Sequence, residues 1–182
     1  VAVATGYESV EQLLSAAPDL LLRDLSSLPR LLGGEGPLDL MPVATVGALI
    51  LDQNGLLLMI RTHKWSDRWG IPGGKIKRGE TSEDALHREI LEETGLRLHA
   101  VEFVLVQDCI EPPEFERSAH FLLLNFIART QGERPVVVLN EEAEEFCWLS
   151  VEQALRLDLN FPTRVLLEEC LQRGMLAAGT HA

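Results

Sequence analysis

The chain has 182 residues, a formal net charge of −12 at pH 7, 46% hydrophobic residues and 24% charged ones. That length supplies one domain with a sizeable core and room for an appendage, and the mix is that of a soluble globular protein. The acidity argues against a partner held by nucleic-acid phosphates, and no apolar run reaches the roughly 18 residues that a membrane span needs.

Residues 1–40 differ from the rest. "VAVAT" is strand-like, "SVEQLLSAA" is a short helix with Ser9 as its N-cap, "DLLLRDL" is strand-like again, and "SSLPRLL" makes a last helical turn. "GGEGPLD" is a linker by composition. The opening "VAVATGYESVEQ" lacks a basic segment followed by an apolar one, so no signal peptide is expected there. The order strand, "GYES", helix, strand, "LPRLL" resembles the C-terminal tail of haloacid dehalogenase-like phosphatases. Residues 1–36 would then be a remnant of such a domain; an ordinary N-terminal extension is the alternative. No Asp-x-Asp of that family lies near the start, so phosphatase activity does not carry over.

From Met41 the signals are firmer, and residues 41–182 are expected to form the main domain. "VATVGALIL" (43–51) suits a strand buried on both faces. "DQNG" is a hairpin turn, with Asn54 and Gly55 expected at positive φ, and "LLLMIRT" (56–62) returns. "WGIP" is short and extended. A helix is expected over about 82–94, with Thr81 as N-cap, Asp84 closing a capping box and Gly95 ending it. Strands follow at 98–108 and 120–130, joined by the polar "EPPEFERSA". "PVVVLN" is a short strand or an extended segment. The acidic loop "NEEAEEFCWLS" runs into a strand, and "SVEQALRL" and "TRVLLEECLQRG" are helices. Irregular alternation of strands and helices predicts an α/β fold with a mixed sheet flanked by helices. Cys109, Cys147 and Cys170 are odd in number and have no metal-ligand spacing, so they read as reduced thiols of a cytoplasmic protein.

The helix over 82–94 carries Glu89, Glu92 and Glu93 near its C-terminal end, where the dipole disfavours acid. Stepping about 100° per residue places all three in the arc that holds Ala85, Leu86 and Ile90. Glu83, Asp84, His87, Arg88 and Thr94 fall opposite, with Leu91 as the apolar exception. Carboxylates on the packed side of a helix cost free energy unless something neutralises them. Arg88 can pair with Glu92 at i, i+4, but one arginine does not balance three acids. A divalent cation with a preference for carboxylate oxygen is one answer, and a salt-bridge-laced surface helix is the other.

The string from Gly74 through Glu80 to Arg88-Glu89-Ile90-Leu91-Glu92-Glu93-Thr94-Gly95-Leu96 resembles the Nudix hydrolase signature G-x5-E-x7-R-E-U-x-E-E-x-G-U, where U is bulky and apolar. Every fixed position is filled. "WGIPGG" before it and the tryptophan of "EEFCWLS" after it also fit, and the resemblance covers about residues 41–173. It implies the Nudix fold, an α/β/α sandwich around a central mixed sheet. The activity it implies is hydrolysis of a pyrophosphate bond in a nucleoside diphosphate linked to another moiety, with Mg²⁺ or Mn²⁺. The metal ligands would be Glu89, Glu92, Glu93 and the Gly74 carbonyl. Arg88 would orient the glutamates, and Glu80 would brace Arg88 or the loop. The general base would be a helix glutamate or one from the loop holding Glu141, Glu142, Glu144 and Glu145, with Glu142 singled out by its place before Trp148.

Of the basic residues around the signature (Arg61, His63, Lys64, Arg68, Lys75 and Lys77), Arg61 and Lys75 are chosen as phosphate contacts. Trp65 reads as packing before stacking on a base. Trp69 and Trp148 read as core, and His120 and Cys109 as packing. Pro112, 16 residues past Leu96, resembles a marker of ADP-ribose-cleaving members. ADP-ribose or another nucleoside diphosphate sugar is therefore the first expectation. An oxidised nucleoside triphosphate or a dinucleoside polyphosphate is the second. The rival class is a nucleotide-sensing module without catalysis, but such modules lose box carboxylates and this chain keeps them. The expected partner is a small nucleotide, with no nucleic acid and no membrane; a homodimer is left open.

Overall fold

The computed structural model describes residues 2–3, 9–17, 21–22 and 41–176. The chain forms two compact units, Val1–Met41 and Pro42–Ala182. In the first, β1 (Ala2–Val3) and β2 (Leu21–Leu22) pair in parallel across α1 (Val10–Ser15). Ser9 caps α1 in a closed capping box with Gln12. The helical turn expected at "SSLPRLL" and the "GGEGPLD" linker lie outside the described residues.

The second unit opens with β3 (Val43–Leu51), the central strand its apolar run called for; it is buried from Thr45 onward. β4 (Leu57–Arg61) returns antiparallel. In the turn between them only Gly55 takes positive φ, at 80°; Asn54 does not, contrary to the sequence reading. Asp52 explains the difference. Its fully buried carboxylate accepts from the backbone N–H groups of Asn54 (2.9 Å), Leu56 (2.8 Å) and Arg134 (3.0 Å). An aspartate that closes its own turn makes a left-handed second glycine-like position unnecessary. Asp52→Ala would strand three donors, and a loss of about 3 kcal/mol or more is expected in chemical denaturation.

A single 3-10 turn (His63–Trp65) leads to β5 (Trp69–Gly70) and β6 (Gly73–Lys75). Helix α2 spans Ser82–Thr94. Its N-cap Thr81 accepts from the Asp84 N–H, but the Asp84 carboxylate takes the Thr81 hydroxyl, so the capping box is not closed on the backbone. Gly95 ends the helix at φ 71°. β7 (Leu98–Ile110) and β8 (His120–Thr130) form a long antiparallel pair, with register shifts between His99 and Glu102 and between Phe103 and Leu105. Residues 135–140 form no strand, but their backbone reaches α2 through Val138 N–H to Thr94 O and Asn140 N–H to Glu93 O. β9 (Glu145–Leu149), α3 (Val151–Leu155) and α4 (Phe161–Gln172) complete the unit.

The sheet runs β5-β4-β3-β8-β7, with β6 on β3 and β9 on β4. β3 and β8 are parallel and the other pairs antiparallel, so the sheet is mixed. Alternation along β3 sends Val46, Ala48 and Ile50 to a core with Ala85, Leu86 and Ile90 of α2. Leu49 and Leu51 go to the other core, with Leu166, Leu167 and Cys170 of α4. The result is the expected α/β/α sandwich. Cys109, Cys147 and Cys170 are free thiols. Among the described residues no helix is long and apolar enough to cross a membrane.

Candidate active site

β6 is held against β3 by the register Thr45–Lys75, Val46–Gly74 and Gly47–Gly73. α2 packs behind it, so the two glycines lie directly against the acidic end of the helix. Gly73 donates its N–H to Glu93 Oε2 at 2.8 Å. Gly74 stands so near Glu89 that a Cβ there would fall 2.4 Å from Glu89 Oε2.

The three glutamates separate by burial. Glu93 is 4% exposed. Glu89 is mostly covered, and the Glu92 side chain is 52% exposed. The sequence reading put all three on one packed arc; in the structure Glu93 and Glu89 point inward and Glu92 stands on the rim. Thr94, read onto the opposite side, is fully buried and bonds the Ile90 carbonyl at 2.6 Å. Among the described residues the three glutamates do not bring one oxygen each within 4.8 Å of one another; the group that does is the exposed His63, Asp67 and Glu144. There both ring nitrogens of His63 already face a carboxylate at 2.6 Å.

Arg88 organises the acids. Its guanidinium donates to Glu80 (2.6 and 2.8 Å), to Glu89 (2.6 Å), to Glu92 (3.2 Å) and to the Lys75 carbonyl (3.0 Å). It therefore ties the helix to the loop and to the end of β6. Arg88 hydrogen bonds first, then the Lys77 N–H, hold the Glu80 carboxyl down at about 2, while Glu80 and Glu89 raise the Arg88 pKa. Burial pushes the Glu93 carboxyl the other way, up to about 7, against the pull of the Gly73 N–H and Lys64.

These groups open on a cavity of about 500 Å³. Glu89, Glu93, Lys75 and Gly74 line it, and so does Glu142 from the loop before β9. Lys64 lies between, 2.5 Å from Glu142 and 4.0 Å from Glu93. Glu92 and Arg61 stand outside the lining. The Arg61 guanidinium is taken by Glu144 (3.6 Å) and Glu145 (3.2 Å), because β4 and β9 are antiparallel neighbours there. Lys64, not chosen as a phosphate contact from the sequence, lines the cavity, and Arg61, which was chosen, does not. A lysine at the turn beside the glycine loop was visible in the sequence, but its pairing with Glu142, 78 residues on, was not.

The NUDIX domain family matches residues 41–170. The chain belongs to the Nudix family. It is 32% identical over 142 residues to the nucleoside triphosphatase NudI of Enterobacter sp. (strain 638), covering 72% of this chain and 97% of that protein. The crystal structure of a MutT NUDIX hydrolase from Burkholderia pseudomallei superposes with a TM-score of 0.59 at 30% identity, over 71% of this chain and 98% of that one. The NUDIX domain of Shewanella oneidensis NrtR, solved with ADP ribose, matches at a TM-score of 0.62 over 73% of this chain and 88% of that one. At 18% identity it shares the fold alone. The protein is a Nudix hydrolase, acting on phosphorus-containing anhydrides.

Nudix hydrolases use a divalent cation such as Mg²⁺, and the residues here suit one. The donors are hard carboxylate oxygens, and Glu93 is a buried acid whose charge the protein only partly offsets. Gly74, having no side chain, also lets the Glu89 carboxylate lie against its backbone, where a Cβ would collide with it. The cavity also holds a wall of Trp65, Phe115 and Phe121 that was not foreseen as a unit. Their rings meet at 4.9 Å (Trp65–Phe115) and 5.0 Å (Phe115–Phe121). Trp65 both packs and lines the cavity. Trp69 and Trp148 are partly buried against the two cores.

Proposed function

We propose that the protein hydrolyses a nucleoside triphosphate to the nucleoside monophosphate and pyrophosphate. The similarity to the nucleoside triphosphatase NudI over 97% of that protein's length carries this reading. It favours the second expectation from sequence over ADP-ribose, for which Pro112 was the sign. Pro112 is buried in the loop before β8 and does not line the cavity.

In this reading Glu89, Glu92, Glu93 and the Gly74 carbonyl would hold the cation. A divalent ion there would supply charge neutralisation of the polyphosphate and a more acidic bound water. The protein's own groups do the rest. Arg88 fixes Glu89 and Glu92 in place against their mutual repulsion, and Glu80 fixes Arg88. Lys64 and Lys75 meet phosphate oxygens at the cavity mouth. Glu142 accepts the proton of the attacking water. The water oxygen bonds to phosphorus as the P–O–P link breaks, and pyrophosphate leaves.

The test is a panel of nucleoside triphosphates, ADP-ribose and a dinucleoside polyphosphate with Mg²⁺, products identified by mass. At least one triphosphate is expected to exceed ADP-ribose in kcat/KM by about tenfold or more, releasing pyrophosphate. A preference for ADP-ribose would overturn the substrate assignment, and no turnover of any member would overturn the reading as a whole.

A further inference from the structure

Behind the carboxylates the cavity ends on the sheet. In its floor β3 and β8 run side by side, with Thr45 beside Leu123 and Gly47 beside Asn125. The other wall is the aromatic group of Trp65, Phe115 and Phe121. A slot with apolar faces and a polar group at its end suits a flat heteroaromatic ring.

The polar group is Asn125, only 3% exposed. Its Nδ2 donates to Gln107 Oε1 at 3.2 Å and to the Leu123 carbonyl at 3.5 Å. With Nδ2 turned to these two acceptors, Oδ1 lies on the other side of the amide. Among the described residues no donor reaches Oδ1. The hydroxyl of Thr45, on the same floor, is buried without a partner. An amide oxygen with no protein donor, on a side chain that lines the cavity, is left free to accept from a ligand.

We infer that this end of the cavity is a base subsite in which Asn125 Oδ1 accepts a hydrogen bond from an exocyclic amino group. Cytosine and adenine nucleotides then bind in preference to their uracil and hypoxanthine counterparts. A keto oxygen in the same place would oppose acceptor to acceptor. Gln107 does not line the cavity and acts as a positioning residue, occupying Nδ2 so that the acceptor stays turned toward the ligand. The inference rests on the nucleotide reading above and narrows it to a class of base.

The test uses the full chain and nucleoside monophosphates, which have no anhydride to cleave. CMP against UMP and AMP against IMP, titrated by calorimetry, compare one functional group at a time. The amino member of each pair is expected to bind about tenfold more tightly or better. Asn125→Leu should close both gaps, and Gln107→Leu should narrow them with little change in UMP affinity. Equal affinities within the pairs, or gaps that survive in Asn125→Leu, overturn the inference. Should Asn125→Leu fail to fold, the wild-type pairs decide alone. Triphosphates left intact beside a clear amino preference would remove the proposed reaction and keep the subsite. Triphosphates cleaved without regard to base would do the reverse.

Discussion

Glu93→Gln is expected to lower kcat by about two orders of magnitude or more and, in metal-free protein, to raise stability at pH 8. The sign follows from the direction of the pKa change. The folded carboxyl is pushed up to about 7 by burial, from an ordinary value of 4.5. Between those values the folded state binds the proton more tightly than the unfolded state. Stability from the neutral acid is therefore fully present below 4.5 and is lost as pH rises through 7. A gap of that size corresponds to roughly 3 kcal/mol at most at pH 8. Glutamine stays neutral and still offers an oxygen to the Gly73 N–H, so the variant keeps what the wild type loses. The gain should shrink toward zero by pH 5. Mg²⁺ should restore the wild type selectively, since a bound cation neutralises the acid only where the acid exists. Urea denaturation at both pH values, with and without Mg²⁺, together with initial rates, measures all of this. A variant with wild-type turnover, or one less stable than the wild type at pH 8, would sink the assignment of Glu93 to the cation.

Much of this site was legible because its parts are local in sequence. Gly73, Gly74, Glu80, Arg88, Glu89, Glu92 and Glu93 fall within one loop and one helix. Helical periodicity alone shows that acids share the packed arc. What periodicity does not give is how far each carboxylate penetrates. Glu92 and Glu93 are adjacent, yet Glu93 is buried under β6 and Glu92 stands half in solvent. The hairpin turn was misread at Asn54 because the deciding partner was the side chain of Asp52, and a third donor came from Arg134, 82 residues away. The ion pairs of Arg61 with Glu144 and Glu145 were not legible, because the pairing of β4 with β9 that brings them together is a long-range event. Asn125 did leave a signal, as the single amide inside "FLLLNFIA". A lone polar residue in an apolar strand marks a place where the strand faces something other than core. Its partner Gln107 lies on another strand, and the aromatic wall opposite draws on two loops and β8, so no local pattern could assemble them.

The two glycines of the loop should fail in different ways when each is replaced by alanine. Gly73 has φ 154°, and a Cβ on it would lie 2.1 Å from the Val46 carbonyl oxygen and 2.7 Å from Gly47 Cα. Both obstacles are backbone of the central strand, which cannot yield without breaking the β3–β6 register. Gly73→Ala is therefore expected to cost about 3 kcal/mol or more. At Gly74 the nearest atoms are the Glu89 carboxylate, at 2.4, 2.5 and 2.8 Å. The tip of a side chain can swing away, so Gly74→Ala should stay within about 1 kcal/mol of the wild type. The swing has its own consequence. It moves Glu89 off the position that Arg88 holds at 2.6 Å and fills the space beside Gly74. A displacement of about 1 Å in such a group can cost on the order of a hundredfold in rate. Gly74→Ala should therefore melt like the wild type, turn over on the order of a hundredfold more slowly, and need more Mg²⁺ to reach half-maximal rate. Thermal melts and Mg²⁺ titrations of the rate separate the two variants. Wild-type kinetics in Gly74→Ala would show that Glu89 does not need its present position. A wild-type melt in Gly73→Ala would show that the loop can leave β3 without cost, and the site would then not be built on that strand.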